Sequence, residues 1–298
     1  MRIADQKKLA PYIFLGPFIL LFLVFGLYPI GYSIFISFFK WTANGREEFR
    51  GISNYVKLFT TDPFFLKSLG NTIWLMFWGS FLQHFFAIPL AIALNNKARR
   101  GRNIFRTAYF LPYITSSVSI TIIFALIFDH NYGWLNYLIT NLFNGTSINW
   151  LQDPAYIKPS LAILLNWRYI GWNVVIYVAG LQSIPGELYE AATVDGANRF
   201  QQHMRITLPL LIPVIFFAMT MSIIGGMQVF EEPFLLTKGY TAMGGTDNAG
   251  LTSALYLMFN GFKAGRYGKG SAIAWTLFLF IILFTALNRY ITQKMKNR

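Results

Sequence analysis

Six long apolar runs alternate with polar segments along the chain, at about residues 12 to 39, 70 to 94, 107 to 128, 159 to 181, 210 to 230 and 271 to 291. Each reaches the roughly 20 residues that a helix needs to cross a hydrocarbon core of about 30 Å. The pattern predicts an all-α integral membrane protein with six transmembrane helices. The first run, "YIFLGPFILLFLVFGLYPIGYSIFISFF", follows Arg2, Lys7 and Lys8 as a signal peptide would, but it is too long and no small-residue cleavage pattern follows it. It is read as a retained first helix. Between spans three and four, "GWLNYLITNLF", residues 133 to 143, is too short to cross and is expected to form a helix on the outer surface.

Composition agrees with the pattern. Of 298 residues, 55% are hydrophobic, 18% aromatic and only 12% charged, a balance that a soluble fold could not easily hide. The absence of cysteine excludes disulfides, thiolate metal sites and cysteine nucleophiles, and the scattered His84, His130 and His203 argue against a zinc centre. The formal charge of +13 is spread between apolar runs, so it speaks for membrane orientation and against nucleic acid as a partner. With the N-terminus inside, the inward segments (1 to 11, 95 to 106, 182 to 209, 289 to 298) carry 14 lysines and arginines in 61 residues. The longer outward segments carry 10, with Arg168 left inside a span. Lysine and arginine favour the cytoplasmic side, so both termini are expected in the cytoplasm of a multi-pass protein.

One inward segment has more structure in its sequence than a connector needs. In "ELYEAATVDGANRFQQHMRITLPLL", residues 187 to 211, three acids and two arginines sit between two apolar spans. Pro185 suits a helix start, and Glu187 and Glu190 fall near that helix's positive end. Leu188, Ala191, Ala192 and Asp195 follow helical spacing, so Ala191 and Ala192 leave a face with little bulk. Gly196 is placed to end the helix in a left-handed conformation. A second helix, roughly 197 to 207, is expected to run until Pro209 opens span five. Composition alone permits an ordinary amphipathic loop here.

The spacing resembles the signature of the membrane permease subunits of binding-protein-dependent ABC importers: E-A-A, three residues, G, nine residues, I-x-L-P. It is met by Glu190, Ala191, Ala192, Gly196, Ile206, Leu208 and Pro209. The flanks "LQSIPGELYEAATVDGA" and "ITLPLLIP", with "APYIFLGPFILLFLVFGLYPI", "GISNYVKLF" and "GGTDNAGLTSALYL" elsewhere, are similar to the maltose and multiple-sugar branch. The resemblance covers nearly the whole chain, residues 1 to 298 as a single permease domain. It implies that loop 182 to 209 is a coupling helix-turn-helix docking on a cytoplasmic ATPase dimer. Glu190 would then supply polar contacts, Ala191 and Ala192 close approach and Gly196 the turn, with Glu187, Asp195, Ile206, Leu208 and Pro209 as the further residues of the coupling loop. It further implies a second, homologous permease, an extracytoplasmic sugar-binding protein, a prokaryotic inner membrane, and a sugar cargo, an oligosaccharide in the first instance. Another polar solute such as glycerol phosphate is the alternative. The chain needs no cofactor of its own, since ATP and Mg would bind the partner ATPase; "GRYGKGS", residues 265 to 271, lacks phosphate-loop spacing.

Polar groups inside a bilayer are costly and face a cavity or a partner. Asn166 and Glu232 are among such groups, and Arg168, Asn173, Gln228 and Glu231 are the substrate-path candidates, with Arg168 equally able to pair with a carboxylate or reach toward the outer headgroups. Gln83 and His84 read as interhelical hydrogen bonders. Gly225 and Gly226 either open span five or permit close packing. An ion-coupled transporter would show inverted repeats and mid-span acids, and an intramembrane enzyme would show a nucleophile with its base; neither pattern is visible.

Overall fold

The computed structural model describes residues 3–95, 101–237 and 243–296. Arg2, Lys97, Arg99, Arg100 and Arg298, five of the 14 inward lysines and arginines, lie outside the described residues. Two compact units form, residues 1–62 with 257–276, and residues 63–256 with 277–298.

In the first unit, α1 (Ile3–Phe22) passes through a wider, π-type turn at Leu23–Leu27 into α2 (Tyr28–Ser37). Most of the apolar stretch Tyr12–Ser37 is uncovered within the chain, with Ile36 and Ser37 buried at its end, as suits a helix that is hydrophobic all round and meets lipid or another subunit. An antiparallel hairpin follows, β1 (Phe39–Thr42) with β2 (Gly45–Phe49). This departs from the purely helical expectation. Asn54, on α3 (Ser53–Thr60), ties the helix end to the hairpin by donating from Nδ2 to the carbonyls of Ser37 (2.7 Å) and Phe39 (2.9 Å).

The second unit is built around one central helix. α4 (Pro63–Leu75), a π-type turn at Met76–Phe81 and α5 (Gln83–Asn95) make one crossing. The expected third span, 107 to 128, is instead two helices, α6 (Arg102–Ile114) and α7 (Ser117–Ile127), bent by 97°. Pro112 removes one amide donor from the end of α6, and Thr115 and Ser116 adopt extended backbone, so the ladder stops there. Among the described residues five helices are long and apolar enough to cross a membrane, or six if the bent pair counts as one. α8 (Trp134–Asn141) falls in the short stretch where a surface helix was expected.

α9 (Pro154–Gln182) starts five residues before the apolar run because Asp153 caps it, accepting from the Ala155 amide at 2.9 Å, with Pro154 in its first turn. Its two halves anchor two apolar clusters. Ile157, Leu161, Leu164 and Leu165 pack with Leu75, Ile120 and Phe124, while Val174, Tyr177 and Val178 pack with Ala87, Ala91 and Leu211. After loop 182 to 209 come α10 (Glu187–Val194), α11 (Arg199–Gln202), a π-type turn at His203–Thr207, α12 (Leu208–Met227) and α13 (Glu231–Leu236). α14 (Ser253–Met258) and α15 (Tyr267–Lys296) end the chain.

Candidate functional site

Loop 182 to 209 is a small, rigid hairpin. α10 buries none of its residues. It ends in a two-bond C-terminal lock in which the amide of Gly196 donates to Thr193 (3.1 Å) and that of Ala197 to Ala192 (2.9 Å). The lock needs a left-handed residue between them, and Gly196 supplies it with φ +78°. Asn198 then opens α11 with a capping box: Gln201 N donates to Asn198 Oδ1 and Asn198 N to Gln201 Oε1, both at 2.9 Å.

The two arms are tied side to side by Tyr189 OH with Thr207 Oγ1 (2.9 Å) and by Gln202 Nε2 donating to Thr193 Oγ1 (3.0 Å). The second helix begins at Arg199, two residues later than expected, and it does not stop before span five. It continues through the π-type turn into α12, so Pro209 sits within a continuous rod and marks no boundary. Among the described residues the carboxylates of Glu187, Glu190 and Asp195 have no ion-pair partner, and Val194 (89% exposed) and Phe200 (70%) are uncovered beside them. Ala191 is exposed, Ala192, Ile206 and Leu208 are half-buried, and Pro209 is exposed.

Deeper in the same unit, a cavity of about 300 Å³ is lined by Ser80, Gln83, Tyr113, Trp172, Asn173 and Ser222, with Tyr169 and Gly225. Tyr113 stacks on Trp172 with centroids 4.7 Å apart, and Tyr169 meets Tyr113 edge-on at 6.0 Å. Asn173 donates to Gln83 Oε1 at 3.0 Å, which leaves its own Oδ1 buried without a partner. Gly226 permits close packing, since a Cβ there would lie 3.1 Å from Met76 Cα, whereas Gly225 opens on the cavity. The break in span five comes just after both glycines, at residues 228–230.

Arg168 has a carboxylate partner. Its guanidinium donates to Glu232 Oε1 (2.5 Å) and to Ser117 Oγ (2.6 Å), and Tyr169 OH donates to the same carboxylate oxygen at 3.0 Å. Both charges are buried, with side-chain exposures of 11% and 3%. The pair joins α9, the start of α7 and α13 beside the cavity. Gln228 and Glu231 are exposed and lie outside the cavity lining. Gln83 and His84 bond across to α9, His84 through Tyr177 OH at 2.7 Å.

Residues 85–297 match the family described as binding-protein-dependent transport system inner membrane component. The chain belongs to this family. It is 38% identical over 292 residues to the arabinooligosaccharides transport system permease protein AraP of Bacillus subtilis (strain 168), covering 98% of this chain and 91% of that one. It is 33% identical to the lactose transport system permease protein LacF of Rhizobium radiobacter, covering 96% and 94%. The fold matches a chain in the crystal structure of a bacterial ABC transporter involved in the import of the acidic polysaccharide alginate, with a TM-score of 0.82, 23% identity and 98% of each chain covered. As a member of this family the chain is a multi-pass membrane subunit of a binding-protein-dependent transporter. The E-A-A element and Gly196 thus lie in the exposed α10–α11 hairpin of this subunit. Tyr113, Tyr169 and Trp172 were not singled out from sequence; the spacing of Tyr169, Trp172 and Asn173 on one helical face is the signal that could have found them.

Proposed function

We propose that the protein is the permease subunit of an ATP-driven importer and that, with a second, homologous permease, it forms the path of an oligosaccharide across a prokaryotic inner membrane. In this reading a cytoplasmic ATPase dimer binds ATP and Mg, an extracytoplasmic binding protein delivers the sugar, and both termini face the cytoplasm. The observation that carries the reading is the α10–α11 hairpin, whose backbone is locked while its carboxylates and its apolar Leu188, Val194 and Phe200 are uncovered. A rigid handle continuous with α12 transmits a push from a docked partner as movement of span five.

A neutral sugar fits the cavity better than glycerol phosphate does. Its lining holds aromatic faces, amides and hydroxyls and no charged side chain, and Arg168 is neutralised by Glu232. Aromatic rings with a few convergent polar groups suit a pyranose or furanose ring.

Glu190→Lys places a cation where the handle is acidic. It is expected to uncouple ATP hydrolysis from uptake in proteoliposomes of the complete transporter while the chain still inserts. Sugar-stimulated hydrolysis and uptake at the unmodified level in that variant would remove the coupling assignment.

A further inference from the structure

The segment between α7 and α9 carries a second polar cavity, of about 440 Å³, lined by His130, Asn131, Tyr132, Tyr137, Asn141 and Ser147 among others. Because α9 separates this segment from loop 182 to 209, the two lie at opposite ends of that helix. Its frame is rigid. Asn136, itself buried, donates from Nδ2 to the carbonyls of Asp129, His130 and Ile148 and accepts at Oδ1 from Ile148 N and Trp150 Nε1 (both 3.0 Å). Asp129 Oδ1 fixes the turn by accepting from the amides of Asn131 and Tyr132.

On this frame Ser147 Oγ donates to His130 O (2.9 Å), while two tyrosines and two amides present groups that the frame does not use. The rings of Tyr132 (91% exposed) and Tyr137 (65%) are open, and among the described residues neither phenol has a hydrogen-bond partner. Asn131 likewise keeps its side-chain amide free, and Asn141 keeps its Oδ1 free while its Nδ2 bonds to Tyr137 O. The named lining holds no lysine, arginine, aspartate or glutamate. Open aromatic faces beside neutral amides and hydroxyls, on a preordered loop whose Asp129 carboxylate accepts from the amides of Asn131 and Tyr132, match the mixed apolar face and hydroxyl rim of a neutral glycan. Preordering matters because a loop that is already fixed loses little entropy when it binds.

We infer that this cavity is a subsite for a neutral oligosaccharide on the extracytoplasmic side, separate from the cavity within the membrane and taking sugar units that have not yet entered it. The inference rests on the proposed function for its sidedness and for the class of ligand. A tyrosine belt at the membrane interface would place the same rings in the headgroups, and it makes a different forecast.

The test is saturation-transfer NMR on the full chain in nanodiscs, with arabinohexaose and maltohexaose as probes and with the variants Y132A/Y137A and Y132F/Y137F. Both tyrosines are exposed, so their removal leaves the Asn136 frame in place. At least one hexasaccharide is expected to receive saturation from the unmodified chain, with affinity falling about fivefold to tenfold in the alanine variant and partial recovery in the phenylalanine variant. Equal signals in all three proteins, or none in the unmodified chain, would overturn the subsite, as would an alanine variant that changes only thermal stability or lipid partition. Uptake by the complete transporter separates the two readings. Absent uptake with a tyrosine-dependent NMR signal refutes the importer and keeps the site, whereas normal hexasaccharide uptake with no such signal refutes the site and keeps the importer.

Discussion

Glu232→Ala is expected to cost the detergent-solubilised protein about 3 to 5 kcal/mol of stability, because it leaves Arg168 charged and buried without its partner. The same change releases Tyr169 OH and so loosens a wall of the membrane cavity. Arg168→Ala is expected to do comparable harm from the other side by stranding the carboxylate. The double replacement Arg168→Met with Glu232→Met, which removes both charges and keeps volume, is expected to recover most of the loss, since buried pairs often contribute little beyond an apolar replacement. Thermal unfolding in detergent followed by tryptophan fluorescence measures all three. If the double variant is as unstable as the singles, the cost lies in the lost links to Ser117 and Tyr169 and not in stranded charge.

Gly171→Ala is expected to damage the packing of the bent third crossing. A Cβ at residue 171 would occupy the position of the Tyr109 carbonyl on α6, and backbone cannot move aside as a side chain can. The expected loss is about 3 kcal/mol, the upper part of the overpacking range. The stacked Phe110, Tyr113 and Trp172 would be displaced with it. A reduced yield of folded protein in detergent is the readout, and an unchanged melting temperature would show that α6 and α9 have room to separate.

The spans were legible because their signal is composition over a length, which neighbouring subunits do not alter. Breaks within them were harder to see. Pro112 and the run Thr115–Ser116–Ser117 mark the 97° bend, yet the apolar residues on either side read as one continuous span. The hairpin β1–β2 carried its own sign, Asn44–Gly45 after alternating Phe39 and Trp41, and was lost because it lies in a connector of a helical protein.

The turn at Gly196 was readable from one residue, since it depends on local backbone alone. The continuity of α11 with α12 was not, because a proline inside a continuous helical rod and a proline at a helix start look alike in sequence. Arg168 was readable as costly, but its partner stands 64 positions away across a broken helix, and spacing cannot identify such a pair. Separation along the chain also hid the aromatic cavity, whose rings come from α6 and α9.

A sugar path driven by a separate ATPase requires that this chain be held in a complex with other subunits. The most direct measurement is affinity purification of the tagged protein from its native membrane, followed by uptake assays on what is recovered. Stoichiometric recovery of a second permease and an ATPase is expected, with oligosaccharide uptake that requires both ATP and the binding protein. Recovery of this chain alone, with sugar transport intact after reconstitution without an ATPase, would contradict it.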